Sequence, residues 1–133
     1  MRRRILMVAY NFKAEFANAV TAGRKLQTIR APRATRHARP GEPIQLYTGM
    51  RTKACRKLLT PDPKCVAVLP VEISGNGLLL DGVRLFGDQL TAFAIADGFP
   101  TVEAFEAFFK RRMPCLGYSL IAWGDWVNPL PPF

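Results

Sequence analysis

The sequence is short of acid where it is richest in base. Between residues 24 and 57 it carries ten Lys/Arg and one carboxylate, Glu42, whereas the rest of the chain holds nine residues of each sign. The formal charge of +9 therefore sits in about one quarter of the 133 residues. A dense block of one sign repels itself and opposes the compact state, so an anionic partner is expected to balance it.

Histidine is equally scarce. His37 is the only one, which excludes a paired-histidine RNA-cleaving site and a two-histidine metal site within one chain; in a basic loop it reads as solvent-exposed. The three cysteines, Cys55, Cys65 and Cys115, are odd in number and lack C-x-x-C spacing. Neither a disulfide framework nor a zinc site is expected, and a reducing cytoplasm suits them. The ten acids are scattered, so no metal cage and no cofactor is expected beyond a divalent ion held loosely with substrate phosphates. Long apolar runs and basic amphipathic helices are absent, which argues against a membrane partner. Arg2-Arg3-Arg4 followed by Ile5 to Tyr10 imitates a secretory signal, but the apolar run is six residues long and no small-residue cleavage site follows. It reads as a first strand behind a basic leader.

What is present is a globular composition, 49% apolar and 22% charged, in a length that fits one domain spanning residues 1–133, with a monomer expected. Phe12, Phe16, Ala19 and Val20 recur at helical spacing, and Gly23 is placed to end that helix in the left-handed conformation. A strand is expected over 26–31, then a basic loop bracketed by Pro32 and Pro40-Gly41, then a strand over 44–47. Residues 51–57 suit a loop or a single helical turn. The valine-rich run 65–73, Asn76-Gly77, 78–80, Asp81-Gly82 and 83–86 reads as a meander. Two helices follow near 89–96 and 102–111, with Asp88 and Thr101 as expected N-caps, and a last strand runs over 119–123. The fold class is α+β on a mostly antiparallel, curved sheet.

The order of these motifs carries a resemblance. Gly23-Arg24-Lys25-x-x-Thr28-Ile29-Arg30 after a helix, Pro40-Gly41-Glu42 before a strand, and Ala96-Asp97-Gly98-Phe99 resemble the ASCH domain family. The block Leu46-Tyr47-Thr48-Gly49-Met50-Arg51-Thr52-Lys53-x-Cys55 is similar to the version in bacterial and phage-encoded members. The resemblance covers roughly residues 5–124. It implies a PUA-like β-barrel flanked by helices, with a cleft for RNA or a modified nucleoside. Family members include RNA binders, a ribonuclease, and a small amidohydrolase acting on N4-acetylcytidine. The amidohydrolase type implies a site of Lys25, Thr28 and Asp97, the acid here being one methylene shorter than the family's Glu. The ribonuclease type implies Tyr47 and Lys53, with Ser119.

Three functional readings stay open, the second and third resting on the resemblance. Tyr47 beside Arg51 and Lys53 pairs an aromatic face with cations, as single-stranded RNA binding needs, and Arg24, Lys25, Arg30 and Arg33 extend the cationic surface. A ribonuclease using Tyr47 and Lys53 is the second reading. The third is an amidohydrolase in which neighbouring cations lower the pKa of Lys25 beside the Thr28 hydroxyl. Asp-Gly after a helix is ordinary punctuation, yet a carboxylate near the negative end of a helix is disfavoured unless a cation partners it. Lys25 and Asp97 are therefore expected to converge in one cleft with Tyr47 and Lys53. Trp123 is expected in the core; Trp126 suits either the cleft or the outer wall.

Overall fold

The computed structural model describes residues 7–130. The basic leader and the first residues of the expected opening strand lie outside them. In chain order the elements are β1 Val8–Phe12, α1 Ala14–Thr21, β2 Gln27–Arg30, β3 Ile44–Thr48, β4 Arg56–Lys57, β5 Cys65–Ser74, β6 Gly77–Leu80, β7 Val83–Leu85, α2 Gly87–Ala96, α3 Val102–Lys110 and β8 Cys115–Trp123.

The fold is α+β, but the described strands do not close into one barrel. They form two sheets, β1-β3-β4 and β2-β8-β5-β6-β7. The second is antiparallel throughout, with bulges in β5 that curve it. In the first, β1 and β3 pair in parallel. The segment between β2 and β3 contains Pro32, Pro40 and Pro43, which donate no ladder hydrogen bond. The isolated bridge between Pro43 and Lys64 links the edges there.

Local signals explain most boundaries. Gly23, at φ +78°, follows the last turn of α1 in the left-handed region that glycine tolerates without strain. The amides of Arg24 and Lys25 both donate to the Ala19 carbonyl at 2.9 Å, folding the chain back against that helix end. Thr101 caps α3, its hydroxyl accepting from the Ala104 amide at 3.1 Å. Asp88 does not cap α2: the cap is Phe86, and Asp88 lies in the first turn, where its charge still suits the dipole. The first hairpin turns at Gly75 and Asn76, one residue earlier than the Asn-Gly dipeptide suggests, because Ser74 pairs with Gly77. Phe12 ends β1 rather than joining the helix.

The buried apolar residues gather in two clusters. One surrounds Tyr10, Phe12, Val20, Leu46 and Trp123; the other joins Phe93, Phe105 and Phe109 to Val71, Leu80 and Leu120. Phe16 packs against both, and β8 contributes to both. Lys25 lies over Phe16, which packs against both clusters.

Candidate functional site

Among the described residues, five polar or charged side chains are buried: Lys25, Gln27, Thr28, Thr48 and Asp97. Four of them belong to one constellation. The amide of Leu26 donates to the carbonyl of Ala96 at 2.9 Å, and the amide of Trp123 donates to the carbonyl of Leu26 at 3.0 Å. These two bonds clamp the chain just before β2 between the C-terminus of α2 and β8. Lys25 and Asp97, on either side of the clamp, then face each other.

The Lys25 ammonium donates to the Asp97 backbone carbonyl at 2.5 Å and lies 3.9 Å from its Oδ1. It also lies over the rings of Phe16 and Phe12, 5.2 and 5.6 Å from their centroids, within cation–π range. Asp97 caps the C-terminus of α2, so its carbonyl sits at the negative end of that helix, where a cation is favoured. Gly98 makes room for this approach. At φ +97° it holds a conformation that other residues rarely adopt, and a Cβ there would stand 2.9 Å from Lys25 Cδ. Gln27 completes the acid's surroundings: its amide nitrogen donates to Asp97 Oδ1 at 3.2 Å, and its oxygen accepts from Trp126 Nε1 at 2.7 Å.

Burial decides the protonation chemistry. Desolvation raises the Asp97 carboxyl to about 6, against the opposing pull of Lys25, Gln27 and Arg30. The same desolvation lowers Lys25 below the ordinary lysine value, while Asp97 pulls it back up. Burial thus moves the two groups in opposite directions, the acid up and the amine down, while each opposes the other's shift.

This pair lines a cavity of about 400 Å3 with Thr28, Arg30, Phe16, Phe108 and Tyr118. The Thr28 hydroxyl accepts from Arg30 Nε at 2.9 Å, and Arg30 Nη2 donates to the Asn11 carbonyl at 2.7 Å. Two more cations, Lys13 and Arg112, line the cavity. Arg112 stacks on Phe108 at 3.7 Å from the ring centroid, and Lys13 lies 5.5 Å from the same ring. Asp97 is the sole acid among the lining residues.

Not every residue singled out in the sequence arrives here. Lys25, Thr28, Asp97 and Arg30 do. Tyr47 does not line the cavity; it is half-buried on β3, in register with Asn11 and Lys57. Lys53 is exposed in the loop after β3, and Ser119 pairs with Arg30 across β2 and β8 without lining the cavity. The expected convergence with Tyr47 and Lys53 therefore fails: the loop after β3 reaches the neighbourhood of the cavity through Met50, whose amide bonds to Asn11, but neither Tyr47 nor Lys53 lines it. Arg24, Arg33, Arg51 and Lys53 are exposed, as a phosphate-binding role requires, whereas Lys25 is buried and committed to Asp97. Glu42 pairs with Arg36 in two bonds of 2.7 and 2.6 Å, removing one cation from the block.

His37 is not a free loop residue. Its Nε2 lies 3.0 Å from the Ala31 carbonyl, which fixes the proton there, so Nδ1 accepts from the Tyr10 hydroxyl at 3.1 Å. The residues missed by sequence reasoning are Gln27, Lys13, Phe108, Arg112 and Tyr118. Gln27 alone gave a signal, a polar residue in an otherwise inward-facing strand position.

Among the described residues, no group of three or more His, Cys, Asp or Glu gathers to hold a metal, and no helix is long and apolar enough to cross a membrane. No protein-family model, curated protein or solved structure matches the chain.

Proposed function

We propose that this chain is an ASCH-type, PUA-like RNA-binding domain whose cavity takes one unstacked nucleoside of a single strand. The observation that carries the reading is the composition of the cavity: aromatic rings of Phe16, Phe108 and Tyr118, with Lys13, Arg30 and Arg112 as cations around them. Aromatic faces stack a base, and cations hold its phosphate. A volume of about 400 Å3 falls within the roughly 300–1,000 Å3 of small-ligand sites. Exposed Arg24, Arg33, Arg51 and Lys53 supply the electrostatic attraction for the rest of the strand.

A second reading is favoured by the Lys25–Asp97 contact beside Thr28: hydrolysis of an amide on the bound base, as in N4-acetylcytidine. Arg30 would stabilise negative charge on the Thr28 oxygen, and Lys25 with Asp97 would carry the proton. The ribonuclease reading draws on Tyr47 and Lys53, which stand apart from this chemistry.

The test is to titrate the protein with single-stranded RNA, single-stranded DNA, nucleoside monophosphates and N4-acetylcytidine, following binding and product with and without chelator. RNA and monophosphate binding that weaken together in Phe108→Ala supports the nucleoside-binding reading; RNA binding indifferent to that change rejects it. Release of acetate, lost in Thr28→Val, establishes the second reading.

A further inference from the structure

A second groove, of about 530 Å3, adjoins the cavity and shares Asn11, Phe12 and Lys13 with it. Its far side is built by Thr48, Gly49, Met50, Thr52 and Arg56. No carboxylate lines it. Asn11 fastens the two spaces together. Its carbonyl accepts from Arg30, which holds Thr28 in the cavity, and its side-chain oxygen accepts from the Met50 amide at 2.9 Å in the groove. Thr52 braces the same loop, its hydroxyl donating to the Gly49 carbonyl at 2.6 Å and accepting from the Ala54 amide at 3.1 Å. Arg56, opposite Thr48 in the β3–β4 register, is exposed and makes no ion pair among the described residues.

We propose that this groove is the subsite for the nucleotide next to the one held in the cavity, so that the ligand is an RNA strand and not a free nucleoside. The inference rests on the nucleoside-binding reading and adds a direction to it. The linking phosphate crosses at Lys13, which lines both spaces, and the flanking nucleotide lies against Met50 and Thr52 with its outer phosphate on Arg56. A lone nucleoside uses the cavity and leaves the groove and its cation idle. A strand engages both, gaining stacking or apolar contact and one more neutralised phosphate.

The experiment compares nucleoside monophosphates with trinucleotides of the same base, measuring Kd at one low salt concentration for the native protein, Arg56→Ala and Arg56→Glu. Expected is trinucleotide binding tighter than monophosphate by roughly tenfold or more, the order of one base contact and one phosphate. Arg56→Ala should remove most of that gain and Arg56→Glu all of it, with monophosphate affinity unchanged. The unchanged monophosphate affinity also reports that each variant is folded. Equal affinity for the two ligands, or a trinucleotide gain that survives Arg56→Glu, overturns the subsite and leaves the nucleoside-binding reading standing. Failure of the native protein to bind either ligand overturns both.

Discussion

Lys25 and Asp97, 72 residues apart, meet in the wall of one cavity, the ammonium bonded to the Asp97 carbonyl and 3.9 Å from its carboxylate. Both are nearly inaccessible, 4% and 2% exposed. A buried ion pair of this kind is weak evidence for stability, because desolvating two charges offsets much of their attraction. The pair shares its cavity with Thr28 and Arg30.

The acidity of Asp97 makes this measurable. Its carboxyl is raised from 3.8 to about 6 in the folded chain, so the native state holds the proton more tightly than the unfolded state. The stability it contributes is therefore fully present below about 4 and lost as pH rises through about 6. Asp97→Asn, a near-isostere of the protonated acid, should match the native protein near pH 4. By pH 7 it should be the more stable, the Lys25 ammonium still being held by the backbone carbonyl of residue 97. Urea unfolding of both proteins across that range checks it; an Asn variant that is the less stable at pH 7 contradicts the burial argument.

Gly98 is the steric counterpart of this pair. Gly98→Ala forces a side chain into a left-handed conformation and against Lys25 Cδ. We expect a loss of about 2–4 kcal/mol, the sum of backbone strain and local overpacking. Gly82→Ala, whose Cβ meets nothing within 4 Å, should show the conformational cost alone, about 1–2 kcal/mol. Equal losses in the two variants would mean that Lys25 yields freely.

How far the sequence leads is visible at particular residues. Thr101, Gly23 and Asp81-Gly82 mark their elements through chemistry confined to a few neighbouring residues, and all three do so in the structure. The pairing of Lys25, Thr28 and Asp97 in one cavity is long-range and cannot be read from composition or periodicity; the resemblance to the ASCH family is what groups the three. Grouping Tyr47 and Lys53 with Lys25 treats a charge block as one surface. In the structure Tyr47 and Lys53 lie outside the cavity lining, and nothing local in residues 46–53 announces that β3 pairs in parallel with β1. Phe108, Lys13 and Arg112 escaped notice because each reads as ordinary helix-end or core material until the ends of two helices meet.

Exposed cations should govern affinity for the strand as a whole. Each phosphate neutralised contributes roughly 0.7 to the log–log salt slope on single strands. Arg51→Ala combined with Lys53→Ala, both exposed in the loop after β3, should lower the slope by about 1 and weaken all RNA sequences alike. Binding titrations at four salt concentrations decide it. An unchanged slope would place the strand elsewhere on the surface.

Trp126 Nε1 donates to Gln27 Oε1 at 2.7 Å, and this fixes which end of the Gln27 amide faces Asp97. Gln27 thereby donates to the carboxylate, and that bond lowers the Asp97 pKa. Trp126→Phe keeps the ring and removes the donor, so the amide is free to turn its oxygen towards the acid. The carboxylate then loses a donor and its pKa moves above about 6. Loss of one buried hydrogen bond should cost about 1 kcal/mol. A merely structural tryptophan would change stability without moving the titration. Following the Asp97 carboxyl by NMR across pH 4 to 8 separates the two: an upward shift in Trp126→Phe supports the relay, and an unmoved midpoint shows that Gln27 is oriented by the Phe93 carbonyl alone.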